Sequence, residues 1–178
     1  WRSRIIAFQP ADGLRPTGDR IRETAFNWLR ASIEGAHCID LFAGSGALSF
    51  EALSRGASHC TSIEQHGDAV KQLRENAVLL QAEGLDIVHT DSLKYLQLGA
   101  PPQPYNLAFV DPPFAAGLVS KTCALLNNDS WLTDKAMIYC EMAATDNSFV
   151  APENWQMLRE KVSGEVRYCL YSRIEPKL

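Results

Sequence analysis

The residues best suited to chemistry in this chain are Asp111, Pro112, Pro113 and Phe114, which are consecutive. They follow a mostly apolar run, 106–110, that predicts a buried strand. Because each proline fixes φ near about −65° and has no backbone N–H, the turn is stiff and its carbonyl oxygens have fewer competing amide hydrogens. Such a turn can accept hydrogen bonds from an amino group while the aromatic ring stacks on a flat molecule.

This turn has the groups needed to methylate an exocyclic amine on a nucleobase. The nitrogen lone pair of such an amine is delocalised into the ring, and acceptance of its hydrogens by the Asp111 carboxylate and the Pro112 carbonyl would localise it. A fixed carboxylate also stabilises the positive charge that attack leaves on nitrogen, and holding both reactants in line supplies proximity. Phe114 would stack on the base, a contact of about 1–3 kcal/mol. Alone, these four residues also fit a turn that merely ends a strand.

A second candidate site is the segment D-L-F-A-G-S-G, which contains Asp40, Gly44 and Gly46. A strand passes here into a glycine turn and then a helix, and glycines let the backbone approach a ligand closely. Glu64 ends the next predicted strand, where an acid can accept both ribose hydroxyls of a cofactor. The third glycine of a dinucleotide fingerprint is replaced by Ser49, and Asp40 would be a poor neighbour for a pyrophosphate. Both points favour S-adenosylmethionine, which carries a sulfonium and no phosphate.

Asp91 and Ser92 follow the third predicted strand. An acid at this place can reach the adenine amino group of the cofactor. Asp91 could equally cap the helix that follows. Its position after a sheet strand favours the contact with the cofactor.

Alternating strand and helix patterns from residue 37 to about 141 position these groups and predict a parallel sheet with crossover helices. The predicted strands are 37–42, 59–64, 85–89, 105–110 and 135–141. The predicted helices are 47–55, about 70–80, 92–98 and about 118–126. Two further strand-like runs, 155–161 and 166–172, are joined through Ser163-Gly164 and predict an antiparallel hairpin. We expect an α/β, Rossmann-like methyltransferase fold, since a dehydrogenase would more often continue as βαβ units.

The N-terminal region differs in charge from the rest of the chain. Its first 30 residues carry six arginines and three acidic residues, whereas the whole chain has a net charge of −4. A basic arm on an acidic body can contact phosphates locally, although composition alone slightly favours a solvated arginine face. The first predicted helix is capped by Thr17 or Asp19, and one of its faces is apolar. The residues of that face are Ile21, Ala25, Trp28 and Leu29.

Composition predicts one soluble globular domain over residues 1–178, with the basic arm and first helix at about 1–31. The sequence contains neither an apolar run of membrane-spanning length nor a secretory signal, so we expect a cytoplasmic protein. The five cysteines are widely spaced, and no pair is in C-x-x-C register. We therefore expect reduced, mostly buried thiols and no metal site.

The N-terminal segment RPTGDRIRETAFNWL, Arg15–Leu29, resembles the signature of the bacterial small-subunit ribosomal RNA (guanine-N2) methyltransferase family RsmD. The resemblance covers most of the chain, and the other matching segments are DLFAGSGAL (40–48), EALSRGA (51–57) and DPPF (111–114). The chain departs from the family pattern at Gly18, where a second threonine is expected, and at Ser49-Phe50, which replaces a glycine-aliphatic pair. The change at Gly18 could loosen the helix start near the cofactor.

The resemblance implies methyl transfer from S-adenosylmethionine to the N2 amine of one guanine in 16S ribosomal RNA, within a 30S particle or an assembly intermediate. We expect a monomeric enzyme with no membrane partner. The cofactor contacts are expected at Thr17, Asp40, Gly44, Gly46, Glu64, Asp91 and Ser92. The acceptor and catalytic roles are implied for Asp111, Pro112 and Phe114. The expected RNA contacts are Arg2, Arg4, Arg15, Arg20, Arg22 and Phe114, although some arginines could instead hold the cofactor or pair with Glu23.

Three other functions remain open from the sequence. Adenine-N6 methylation of DNA or RNA is possible because turns of this type serve several exocyclic amines, but no separate domain for recognising duplex DNA is visible. A noncatalytic RNA-binding assembly module could keep the same fold. A nicotinamide-dependent oxidoreductase would use the glycine turn for a different cofactor.

Overall fold

The computed structural model describes residues 16–99, 101–114, 117–128 and 130–174, with side chains from residue 18 onward. The helices are α1 (Pro16–Trp28), α2 (Ala47–Ser54), α3 (Gly67–Leu80), α4 (Ser92–Leu96) and α5 (Leu118–Leu126). The strands are β1 (His37–Asp40), β2 (His59–Glu64), β3 (Leu85–His89), β4 (Tyr105–Val110), β5 (Leu132–Ala143), β6 (Trp155–Ser163) and β7 (Val166–Arg173).

The strands form one sheet in the order β3-β2-β1-β4-β5-β7-β6. The pairings among β1 to β5 are parallel, and β7 runs antiparallel to both β5 and β6. The strand order reverses between β1 and β4, which is where α/β sheets of this type bind ligands. The predicted Rossmann-like fold ending in an antiparallel hairpin is confirmed.

Helices cover both faces of the sheet, and each face has an apolar core. On one face α1 buries Phe26 and Leu29 against a cluster that includes Leu107, Phe109 and Tyr139. The helices α2 and α3 pack on the same face, since Phe50 and Leu73 share a further cluster. On the opposite face α4 and α5 pack on the other set of strand residues. Strands covered on both faces are expected to be almost continuously apolar, which explains why their polar residues stand out.

Several element bounds differ from the predicted ones, and three of these differences have a clear physical reason. Helix α1 already includes Pro16, a residue that suits the first helical position, so the predicted cap at Thr17 or Asp19 is wrong. Strand β1 ends at Asp40 because the glycine turn begins sooner than expected. Strand β5 extends to Ala143 because it pairs with β7 along its second half.

The predicted hairpin is present, with Gly164 in the left-handed conformation at φ 59°. Its turn residues are Gly164 and Glu165, because Ser163 still pairs within the sheet. All five cysteines are free and buried. Among the described residues no helix could cross a membrane, and no cluster of His, Cys, Asp or Glu has the composition of a metal site.

Candidate functional site

A cavity of about 640 Å³ lies where the carboxyl ends of β1, β2 and β4 meet. Four predicted cofactor residues line it, namely Gly44, Glu64, Asp91 and Ser92. The three predicted acceptor residues, Asp111, Pro112 and Phe114, line the same cavity. The fold therefore brings together groups that are up to 70 positions apart in the chain. A volume of this size suits a small-molecule cofactor.

On the cofactor side of the cavity, the glycine turn fixes the Glu64 carboxylate. Gly44 is left-handed at φ 54°, and its N–H donates to Glu64 Oε2 at 2.9 Å. The N–H of His66 donates to the other oxygen, Oε1, at 2.7 Å. Each oxygen keeps a further lone pair, so the carboxylate is oriented and can still accept from two hydroxyl groups.

Gly46 has a structural reason to be glycine. It is left-handed at φ 90° and precedes α2. A Cβ at this position would collide with the side chains of Leu73 and Phe50. Gly46 is not among the described residues that line the cavity. Its effect on the cofactor would thus be exerted through the shape of the turn.

Asp40 also lies behind the cavity wall, with 1% of the residue exposed. The hydroxyl of Ser49 donates to its Oδ2 at 2.6 Å, and the hydroxyl of Ser62 lies 2.7 Å from that of Ser49. Burial raises the pKa of Asp40 to about 6, although the Ser49 hydrogen bond opposes the shift. The departure from the family pattern at Ser49 thus provides the partner of this carboxyl group. Sequence reasoning missed Ser62, whose only signal is a small polar residue within an apolar strand.

Asp91 caps α4, as the alternative interpretation proposed. Its Oδ1 accepts the N–H of Lys94 at 2.9 Å. Ser92 begins the helix, and its hydroxyl donates to the Leu41 carbonyl after β1. The other carboxylate oxygen of Asp91, Oδ2, takes no part in this cap. The first N–H groups of a helix also have no intrahelical acceptor. Both kinds of group remain able to contact a ligand.

On the acceptor side, Asp111 is half-buried directly after β4, and Pro112 is buried beside it. Phe114 is 57% exposed, so its ring is accessible to a molecule from solvent. Burial of the carboxyl, with the negative charges of Glu141 and Asp40 nearby, holds the pKa of Asp111 well above its usual range. A bound cation or an amine that donates hydrogen bonds would counteract that effect.

Sequence reasoning also missed Glu141, which lies next to Asp111 but is not among the described residues that line the cavity. The register of β4 and β5 pairs Val110 with Cys140, which places Glu141 beside Asp111. The hydroxyl of Tyr139 donates to Glu141 Oε1 at 2.8 Å. The sequence signal that could have identified Glu141 is a carboxylate at the end of the mostly apolar predicted strand 135–141.

The predicted N-terminal contacts are only partly described. Thr17 lies in α1, and its side chain is outside the described residues, as are Arg2, Arg4 and Arg15 entirely. Arg20 is exposed. Arg22 forms an ion pair with Asp19 at 2.9 Å. The two residues lie one helical turn apart at the surface, and an exposed ion pair of this kind stabilises the helix little.

Sequence comparison relates the chain to a known family. Residues 1–172 match the family described as conserved hypothetical protein 95. Ribosomal RNA small subunit methyltransferase D of Escherichia coli is 45% identical over 174 residues, which are 97% of this chain and 86% of that protein. The protein of the same name from Haemophilus influenzae is 40% identical, over 96% of this chain and 89% of its own length.

Solved structures resemble this chain over most of its length. The structure of yhhF from Escherichia coli is 46% identical, with a TM-score of 0.84 over 92% of this chain and 89% of that one. A ribosomal protein L11 methylase from Lactobacillus delbrueckii has a TM-score of 0.73 over 95% of this chain and 90% of that one; at 16% identity it shows the fold alone. The chain therefore belongs to the conserved hypothetical protein 95 family, the family of the RsmD ribosomal RNA methyltransferases.

Proposed function

We propose that this chain transfers a methyl group from S-adenosylmethionine to the exocyclic N2 amine of a guanine in small-subunit ribosomal RNA. The observation that carries the proposal is one cavity with the Gly44–Glu64 hydrogen bond at one side and the Asp111–Phe114 turn at the other. Relatives named ribosomal RNA small subunit methyltransferase D support ribosomal RNA as the substrate. The choice of guanine N2 rests on the resemblance of the N-terminal segment to that family.

The donor set of the cavity fits S-adenosylmethionine, which when bound supplies an electrophilic methyl group. Glu64, with both oxygens already oriented, would accept the two ribose hydroxyls. Asp91 and the backbone N–H of Ser92 would contact the adenine. Anionic groups without a phosphate-binding loop suit a ligand that carries a sulfonium. Thr17, Asp40 and Gly46 complete the proposed cofactor set, with Asp40 and Gly46 acting through the turn.

The acceptor side would hold the base through its amine and its flat face. Asp111 and the Pro112 carbonyl accept the two amine hydrogens, which directs the nitrogen lone pair away from the ring system. The Asp111 carboxylate then stabilises the positive charge that forms on nitrogen. Phe114 stacks on the base, which must leave its own stack to reach the cavity and so comes from an unpaired loop.

The basic N-terminal region would hold the RNA backbone. Its proposed phosphate contacts are Arg2, Arg4, Arg15, Arg20 and Arg22. Local contacts of this kind are consistent with an acidic chain, because only the face next to the cavity must attract phosphates. We propose a single-domain, monomeric enzyme that acts in the cytoplasm on a 30S particle or an assembly intermediate.

The test is methyl transfer from labelled S-adenosylmethionine to small-subunit particles from cells that lack this modification. We expect the label in N2-methylguanosine after digestion of the RNA to nucleosides. Label in N6-methyladenosine would instead support the adenine alternative. Protein that binds the cofactor but transfers no methyl group to these particles would contradict the proposal.

A further inference from the structure

Glu141 lies beside Asp111 although the two are 30 positions apart in the sequence. The parallel strands β4 and β5 pair Phe109 with Tyr139 and Val110 with Cys140. Extending that register by one residue sets Asp111 against Glu141. Because side chains alternate between the two faces of a sheet, both carboxylates point to the face that carries α1. Asp40 lies on that face too, since β1 pairs it with Phe109.

Glu141 is held in place by its surroundings. Tyr139, two residues earlier on the same face, donates its hydroxyl to Glu141 Oε1 at 2.8 Å. On the neighbouring strand β7, Tyr168 is the register partner of Glu141. Tyr168 is buried, and its ring stacks on Trp28 of α1 at 5.2 Å between centroids. The Tyr139 hydroxyl therefore orients one oxygen of the Glu141 carboxylate.

The cluster of carboxylates has no neutralising cation within the described part of the chain. None of Asp40, Asp111 and Glu141 forms an ion pair there. Helix α1 packs on this face, and its described basic residues are Arg20, which is exposed, and Arg22, which pairs with Asp19. Among the described residues, the groups shown to act on Glu141 or Asp111 are thus the carboxylates of this cluster and the Tyr139 hydroxyl.

Two half-buried carboxylates that lie close together with no cation beside them do not both ionise easily. Burial raises the pKa of Glu141, and burial together with the Glu141 charge raises that of Asp111. The pair then titrates as a unit, and its first proton is held more tightly than by an isolated carboxyl group. A carboxylate with higher proton affinity is a better base near neutral pH.

We propose that Glu141 is a positioning residue whose charge gives Asp111 the basicity to take the proton that the acceptor amine releases. This inference rests on the proposed function, since it needs a positively charged amine at Asp111. In the step, an N–H bond of the methylated amine breaks and its electron pair stays on nitrogen. The proton forms an O–H bond with the Asp111 carboxylate, and the nearby negative charge of Glu141 stabilises the protonated form. The pair returns the proton to water when the product leaves.

The test compares the pH profile of kcat for the wild type, Glu141→Gln, Glu141→Asp and a control variant. Removing the Glu141 charge lowers the proton affinity of Asp111, so the acid limb of Glu141→Gln should move about one unit to lower pH. Its kcat on the plateau above the acid limb should fall, by up to about tenfold, because Asp111 becomes a weaker base. Glu141→Asp keeps the charge and should keep the wild-type acid limb. The control, Glu153→Gln, removes an exposed carboxylate from the loop before β6 and should change neither quantity.

The outcomes separate this inference from the proposed function. If methyl transfer proceeds and Glu141→Gln keeps the wild-type acid limb, the role of Glu141 is wrong and the function stands. If no variant, nor the wild type, methylates ribosomal RNA, the proposed function fails first. A measurement on the wild type covers the case in which Glu141→Gln does not fold. In carbon-13 carboxyl spectra, Asp111 and Glu141 should titrate together above the ordinary range, and independent titration in that range would contradict the inference.

Discussion

The backbone N–H of Gly44 donates to Oε2 of Glu64 across 2.9 Å and thereby joins the turn after β1 to the end of β2. The left-handed backbone of Gly44 points that N–H at the carboxylate. With His66 N–H on the other oxygen, both oxygens are already engaged before any ligand arrives. A hydroxyl pair that meets this carboxylate encounters an acceptor of fixed direction, which reduces the ordering cost of binding.

Substituting Glu64→Gln tests the proposed ribose contact. An amide offers one oxygen, so it can accept from only one of the two backbone N–H groups and turns an NH₂ towards the other. We expect S-adenosylmethionine to bind at least about tenfold more weakly, with a loss of about 1–3 kcal/mol of unfolding free energy. Calorimetric titration and thermal unfolding measure the two effects. Glu83→Gln, at an exposed position before β3, is the matched control, and equal affinity of both variants would refute the contact.

Substituting Asp111→Asn tests the acceptor site while preserving the shape of the side chain. The amide cannot stabilise positive charge on the amine nitrogen as a carboxylate does. We expect kcat to fall about 100-fold or more, because this interaction strengthens in the transition state. Cofactor affinity should stay within about threefold, since Asp111 is placed on the opposite side of the cavity from Glu64. Asp134→Asn, exposed near the start of β5, controls for the loss of one charge, and full activity of Asp111→Asn would contradict the assignment.

Phe114→Ala tests base stacking. The ring is 57% exposed, so its removal should leave the unfolding temperature nearly unchanged. If the ring stacks on the base, kcat/KM for RNA should fall about 5- to 100-fold, the equivalent of about 1–3 kcal/mol. Phe114→Tyr keeps the flat face and should retain most of the activity. A drop in kcat/KM of the same size for both variants would point to a role other than stacking.

Sequence reasoning predicted that most of the candidate site residues lie close together because its signals are local. The apolar runs predicted the strands, and the parallel order then required that residues following those strands meet at one edge of the sheet. Gly44, Glu64, Asp91 and Asp111 all satisfy that rule and line one cavity. Their contacts with cofactor and base stay predictions.

The parts that sequence reasoning missed depend on pairing between distant strands. That Glu141 lies beside Asp111 follows only from the register of β4 and β5, which a pattern of apolar residues does not fix to one position. The bond between Ser49 and Asp40 was not predicted either, because it forms only when α2 folds back over β1. The steric requirement at Gly46 likewise comes from Leu73 on α3.

Asp40 should make the free protein less stable as the pH rises. Its folded-state pKa is about 6, above the unfolded value of about 3.9, so the folded protein binds this proton more tightly. The contribution of the protonated Asp40 to the unfolding free energy is fully present below about pH 4 and is lost as the pH rises through about 6. It amounts to about 3 kcal/mol in total. Asp40→Asn removes this titration while its amide oxygen can still accept from Ser49. The measurement is the unfolding free energy of the wild type minus that of Asp40→Asn at each pH between 4 and 7.5. This difference should decline by about 3 kcal/mol as the pH rises. For the exposed-site variant Asp134→Asn, the same difference should show no such decline. A difference that stays flat across this range for Asp40→Asn would mean that the carboxyl group is ionised in the fold without penalty.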